Sequence, residues 1–391
     1  MGGVRGFGRR MGERYDYIIA GAGAAGLSLA YHLVRAGLGD KRVLLIDRER
    51  KIHNDRTWCF WEIGEGPFEG LVFRRWDRVW FHGEGISQRL DLAPYRYKMI
   101  RGIDFYAFMD RWLESQPQIR RLYGQVEAVE EGRVWVDGEP YLAEWVFDSI
   151  YRPAPRRPQY HYLLQHFKGW VVESPRPVFD LEAATFMDFR LEQQGAVRFA
   201  YVLPHDERTA LVEYTVFSPA LLQSEEYDRG LKDYLERSLH LRSYTIHHEE
   251  FGVIPMTDAP LEACPSPRVV PIGMAGGRTK ASTGYTFQRI QRHSRQIAEH
   301  LARYGRPLPR RSGPNRYHWM DSLFLNVLSK GREEGRTFFS RLFRRLRPAQ
   351  VLRFLDEETS PLEDLRLMTA VNVPVFLAAG WDVLASRFKA P

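Results

Sequence analysis

Residues 15–20 (YDYIIA) form a short β-branched run that ends directly in Gly21-Ala22-Gly23-Ala24-Ala25-Gly26, and no other feature restricts the fold more. Leu27, Ala30, Leu33 and Val34 recur at helical spacing, Gly37 supplies a stop, and residues 43–46 (VLLI) read as a second strand. Strand, glycine turn, helix and strand in this order make a βαβ unit. Gly21 permits the tight turn, Gly23 lets backbone approach a pyrophosphate, and Gly26 lets helix and strand pack closely. The helix N-terminus offers unpaired N–H groups to the phosphates. Asp47 closes the second strand 21 residues after Gly26, where a carboxylate accepts hydrogen bonds from an adenosine ribose. The unit is expected to bind a dinucleotide; a bare βα turn is the alternative.

FAD fits better than NAD, because the motif opens a long chain whose later segments return to the same fold. Residues 133–136 with 142–148 read as a hairpin and return strand. Residues 268–277 (RVVPIGMAGG) are an apolar strand running into Gly273, Gly276 and Gly277. Ser282-Thr283-Gly284 then precedes an apparent helix from Tyr285, which Ser282 or Thr283 is placed to cap, its N-terminus facing a flavin carbonyl or pyrophosphate. Residues 160–218 hold alternating stretches, notably 186–191, 197–203 and 210–217 (ALVEYTVF), which suggest an antiparallel substrate sheet. Residues 224–240 and everything after about 310 are helical in pattern. The expected fold is α/β: a discontinuous Rossmann-type FAD-binding domain (1–60, 100–155 and 255–310), a substrate domain (61–99 and 156–254) and a C-terminal helical region (311–391).

Composition narrows the function. With 44% hydrophobic residues among 391 the chain has matter for a packed core. Cys59 and Cys264, far apart, make neither a disulfide framework nor a cysteine zinc site. The histidines lack metal-ligand spacing, so no metal is expected, and a reducing cytoplasm fits. A net charge of +7 is spread without a basic stripe interleaved with aromatics, which argues against nucleic acid. Arg5, Arg9, Arg10 and Arg14 precede no apolar run, so the start is no secretory signal, and Met11 is a possible true start. No apolar stretch reaches the 18 or more residues of a spanning helix.

In ALVEYTVF, Leu211, Glu213, Thr215 and Phe217 point one way and Val212, Tyr214 and Val216 the other. Glu213 is thus a carboxylate flanked by apolar residues, either catalytic or an edge-strand charge paired with arginine or water. Asp188 is a second acid among apolar neighbours, of structural or supporting type. Thr57, Trp58, Phe60 and Trp61 either line a pocket whose π faces steady a cation or pack in the core. Arg56 suits a phosphate or flavin. Residues 338–347 (FFSRLFRRLR) are basic and aromatic, and either lie on anionic lipid or pack with an arginine-rich outer face.

Several of these segments, in order, resemble the bacterial lycopene β-cyclase family of flavoproteins. Asn54-Asp55-Arg56-Thr57-Trp58-Cys59-Phe60-Trp61-Glu62 resembles the family's N-x-T-W segment, and residues 201–204 with 210–215 resemble its strand pair bearing an acidic residue. Residues 252–256 (GVIPM) and 282–287 (STGYTF) resemble two further segments, and the likeness spans roughly residues 15–380. Two departures stand out. Gly273-Met274 replaces the Gly-Asp of related flavin hydroxylases, which argues against that branch, and residues 147–150 (FDSI) replace a glycine-containing turn of some cyclases.

The resemblance implies a redox-neutral cyclisation of the ψ end groups of lycopene, by way of γ-carotene, to β-ionone rings. It implies reduced FAD, NAD(P)H as reductant, Glu213 as the catalytic acid, and Tyr214 and Asp188 near substrate. A carotenoid substrate also implies a peripheral attachment to the membrane surface, at which other carotenoid enzymes would be neighbours. The rivals are a flavin-dependent polyprenyl or lipid reductase or hydroxylase, and a non-catalytic lipid carrier.

Overall fold

The computed structural model describes residues 13–153, 155–261, 266–308 and 315–388. Met11 and Cys264, singled out above, lie outside them, as do Arg5, Arg9 and Arg10. The β-branched opening run becomes β1 (Arg14–Ala20), and VLLI becomes β2 (Val43–Asp47), joined by α1 (Ala24–Arg35). Around this unit a sheet forms in the order β8 (Ile119–Tyr123), β2, β1, β11 (Glu139–Asp148), all parallel. The free edge of β11 is shared. Its first half pairs antiparallel with β10 (Arg133–Val136), which continues to β9 (Val126–Glu130), and its last residues pair parallel with β17 (Val269–Pro271). Ile18, Ile19, Leu44 and Ile46 are fully buried between layers, as a parallel sheet covered on both faces requires. The long helix α4 (Phe287–Tyr304) packs along α1, where Gln291 donates to Ser28 Oγ at 2.8 Å.

Between β2 and α2 (Gly102–Glu114) the chain leaves this sheet. β3 (Thr57–Glu62), β7 (Arg96–Arg101) and β4 (Arg74–Trp76) form a three-stranded sheet of their own, which the two-way division expected from sequence did not contain. β5 (Arg78–Gly83) and β6 (Ile86–Asp91) cross to the edge of a seven-stranded sheet. Its other members, in spatial order, are β13 (Ala183–Asp188), β14 (Val197–Pro204), β15 (Thr209–Ser218), β12 (Tyr162–Glu173) and β16 (Thr245–Thr257). All pairs are antiparallel except β13 with β5. β16 carries a bulge opposite Val171 and Val172, His247 being the residue without a partner.

The two faces of this sheet are covered differently. Trp170, Val212, Tyr214 and Val216 pack against Tyr227 and Leu231 of α3 (Ser224–Asp233) and the π-helical turn Tyr234–Ser238. Leu211 and Phe217 face a second core, to which α5 (Arg316–Ser329) and α6 (Gly335–Arg345) contribute Phe324, Phe338 and Leu342. The helical region ends in α7 (Pro348–Leu355), α8 (Pro361–Ala370) and α9 (Val373–Phe388). Residues 338–347 thus take the packed alternative. Phe338, Phe339, Leu342 and Phe343 are buried against Phe81, Phe189 and Phe324, leaving no apolar face for lipid.

Candidate active site

The glycine turn opens on a cavity of about 830 Å³, which runs from the ends of β1 and β2 to the inner face of the antiparallel sheet. Gly21 has φ +97°, reserved for glycine in practice, and a Cβ there would lie 2.2 Å from Ser149 Oγ. That hydroxyl donates to the carbonyls of Ala20 and Gly21 at 2.8 and 3.1 Å, so the FDSI turn that departs from the family pattern locks onto the glycine turn. A Cβ on Gly26 would stand 1.9 Å from Gly21 O, which accounts for the third glycine as helix-to-turn packing. Gly23 precedes α1 without a side-chain cap and has open space at its Cβ position, so the helix N–H groups face the cavity. Asp47 also lines it, accepting from Ala22 N at 2.8 Å with Lys51 Nζ 3.2 Å away.

The opposite wall comes from the segment before α4. Gly273 and Gly284, with φ +60° and +74°, line the cavity with Thr283, Thr286 and Phe287. Gly276 and Gly277 belong to the turn after β17 and do not reach the cavity: a Cβ on Gly276 would strike Pro271 O. The helix-capping role expected of Ser282 or Thr283 is not what forms. Thr286 is the N-cap residue of α4 and makes no side-chain cap bond. Thr283 Oγ1 and Gln165 Oε1, both of residues that line the cavity, are buried with no hydrogen-bond partner among the described residues. Unpartnered polar atoms around a cavity are costly unless a ligand meets them. Glycine turn, uncapped α1 and these orphan atoms fit a bound dinucleotide.

At the far end lie the carboxylates. Glu213 (β15), Gly169 (β12) and Glu250 (β16) occupy one row across three strands, paired Glu213 to Gly169 and Gly169 to Glu250. Gly169 has no side chain to separate them; a Cβ there would sit 3.1 Å from Glu250 Cγ and 3.7 Å from Glu213 Cβ. Glu213 accepts from Thr215 Oγ1, and Glu250 from Thr57 Oγ1, each at 2.8 Å. Glu213 is half-buried and lines the cavity, whereas Glu250 is 6% exposed and does not. Burial first, then the neighbouring Glu250 charge, push the Glu213 carboxyl up to about 8, and burial raises Glu250 as well. Beside Glu213 stand Tyr201, its partner in the β14 register, and Tyr285, whose hydroxyl lies 3.3 Å from that of Tyr97. Burial keeps all three phenols, and the Cys59 thiol, neutral. The arrangement is a carboxyl whose charged form burial disfavours, set in an aromatic-lined cavity next to a nucleotide cradle.

A profile of the lycopene cyclase protein family matches residues 16–379. The chain belongs to the lycopene cyclase family. The lycopene beta-cyclase of Pseudescherichia vulneris is 25% identical over 397 residues, covering 95% of this chain and 98% of that protein. Among solved structures, a flavoprotein/dehydrogenase from Cytophaga hutchinsonii superposes with a TM-score of 0.58 at 12% identity, over 96% of this chain and all of that one. A geranylgeranyl bacteriochlorophyll reductase-like protein from Thermoplasma acidophilum gives 0.55 at 12% identity, over 94% and 96%. These two likenesses carry the fold, which is the expected FAD-enzyme type with an antiparallel sheet and a C-terminal helical region.

Within this family fold the residues expected near substrate divide into two groups. Thr57 and Trp58 line the cavity, as do Glu213, Cys59 and Arg56, the last expected at a phosphate or the flavin. Phe60 and Trp61 do not. Phe60 stacks on Phe287 at 4.9 Å inside the nucleotide-domain core, and Trp61 packs edge-on to Tyr285 from behind. Tyr214 alternates onto the other face of β15, where Arg198 donates to its hydroxyl at 2.9 Å, so it cannot touch a ligand beside Glu213. Asp188 is fully buried, paired with Arg190 at 2.6 Å and accepting from the Tyr234 hydroxyl at 2.7 Å, and it does not line the cavity. Glu250 went unforeseen. Its one sequence signal is its place just before GVIPM, a segment already noted, and nothing there distinguishes it from Glu249.

Proposed function

We propose that this chain is a lycopene β-cyclase, which converts the ψ end groups of lycopene to β-ionone rings by way of γ-carotene in a redox-neutral, intramolecular reaction. One observation carries the reading: a carboxyl raised to about 8 faces an aromatic cavity continuous with a dinucleotide cradle. The cofactor is FAD in its reduced form, with NAD(P)H as reductant, held by the turn at Gly21 and Gly23, by Asp47, and by Gly273, Thr283 and Gly284. Reduced flavin supplies a negative charge that steadies a carbocation without net electron transfer.

The remaining chemistry is the protein's. Glu213 holds a proton at neutral pH and gives it to C2 of the terminal double bond, which leaves the positive charge on C1. The C5–C6 double bond attacks C1 and closes the ring, and loss of the C6 proton sets the ring double bond. Trp58, Tyr201 and Tyr285 present π faces to the charge and exclude water that would trap it as an alcohol.

The substrate is a membrane hydrocarbon. Among the described residues no single helix is long and apolar enough to cross a bilayer, but α8 and α9 form a hairpin bent by 113°. Its outer side exposes Leu362, Leu377, Trp381 and Phe388, each 70% or more. An apolar patch of this kind supports peripheral attachment at the cytoplasmic surface, through this hairpin in place of residues 338–347. The test is anaerobic incubation of purified protein with lycopene in liposomes, FAD and NADPH. β-Carotene formed with only catalytic NADPH is the expected result. No cyclised product, or NADPH consumed mole for mole, would refute the reading in favour of a reductase.

A further inference from the structure

Glu250 lies outside the lining of the cavity, so it does not touch what binds there. Yet it is buried in the same row as Glu213, across a glycine whose missing Cβ lets Glu250 Cγ and Leu211 Cδ1 close in from either side. Two carboxylates so placed cannot both ionise cheaply. What decides which one keeps the proton is the company each has. Glu250 accepts from Thr57 Oγ1 and feels the Arg56 guanidinium and the His248 ring, the latter anchored at Asn54 O at 2.8 Å. Around Glu213 stand Thr215, the neutral phenols Tyr201 and Tyr285, and the neutral thiol of Cys59, with no cation among the described groups that act on it.

We propose that Glu250 is a positioning residue: it carries the negative charge of a two-carboxylate, one-proton pair and so keeps the proton on Glu213, the member that opens on the cavity. The proposal rests on the cyclase reading for its meaning in turnover, though not for the charge state itself. One proton suffices because the reaction returns one. As the Glu213 O–H bond breaks, the C2–H bond forms; as the C6–H bond breaks, its electron pair becomes the C5–C6 double bond and the proton goes back to Glu213. C2 and C6 both flank C1 in the closing ring, so one carboxyl reaches both. Between the two transfers both carboxylates are ionised. Their repulsion makes Glu213 a stronger base, and two negative charges face the cation.

The discriminating variant is Glu250→Gln, which keeps the volume and an acceptor for Thr57 while removing the charge. In the flavin-loaded full chain, the carboxylic-acid infrared band that Glu213→Gln abolishes should titrate away about 1–3 pH units lower in Glu250→Gln than in the parent. The alkaline limb of kcat/KM with lycopene should move down by the same amount, and Glu250→Asp should restore both. A band and limb that stay in place in Glu250→Gln would overturn the proposal, as would an equal shift in Glu250→Asp. Should Glu250→Gln fail to fold, the parent decides alone: one protonated carboxyl in the pair near pH 7 is expected, and two or none overturns the assignment. A shifted band in a protein that makes no cyclic product would support the pair and sink the substrate reading instead.

Discussion

Replacing Glu213 by glutamine should make the protein more stable, and by an amount that grows with pH. A carboxyl raised from an ordinary 4.5 to about 8 binds more protons in the folded than in the unfolded chain throughout that window. Folded stability is therefore fully present below about 4.5 and is lost as pH rises toward about 8. Each pH unit is worth about 1.4 kcal/mol. Between pH 5 and pH 8 the parent should lose about 4 kcal/mol through this site, a loss the glutamine variant escapes. Buried histidines such as His166 and His293, held neutral by desolvation, oppose this trend on the acid side. They are common to both proteins and cancel in the difference. The assay is guanidinium unfolding of parent and variant at saturating FAD, read as the difference in stability at each pH. A difference that stays flat across the window, or falls with pH, would refute the claim that Glu213 is protonated in the native state.

Gly26→Ala should cost more than about 2 kcal/mol and yield protein purified without flavin, because the new Cβ meets a backbone carbonyl that cannot move aside; flavin absorbance reports it. Tyr214→Phe should cost about 1.5–3 kcal/mol by stranding Arg198, yet leave kcat/KM unchanged, since the ring is on the far side of the sheet. The double change Leu377→Asp with Trp381→Asp should lower co-sedimentation with anionic vesicles about tenfold or more without shifting Tm, as both side chains are exposed. Unchanged partition would move the membrane contact elsewhere.

The nucleotide end of the site was legible because its physics is local. Glycine turn, helix and acidic strand end follow one another within residues 15–47, and the fold only had to keep them in register. Alternation marked Glu213 as a carboxylate among apolar residues, and only the resemblance gave it a role. Glu250 was not legible, since alternation misleads in β16: Phe251 and Val253 are 50% and 36% exposed while Glu250 is buried. A reader following hydrophobicity turns that strand over. Phe60 and Trp61 failed for a related reason. A run of aromatics gives no clue to which members see a cavity and which see a core, and Thr57–Glu62 belongs to a small sheet whose partners come from residues 74–76 and 96–101. The amphipathic stretch 338–347 matched a lipid-binding pattern, and the same pattern serves a helix laid on an aromatic core.

The bulge at His247 has a consequence for how such a chain can change. It lies three residues before Glu250, upstream of the stretch in which β16 pairs residue for residue with β12. Were the extra residue to migrate past Gly169, Glu249 would come opposite Gly169 and Glu250 would leave the row for the side occupied by Trp170. Substitutions along β16 perturb one contact each. Insertion or deletion of a single residue there acts on the whole row at once, although composition barely alters.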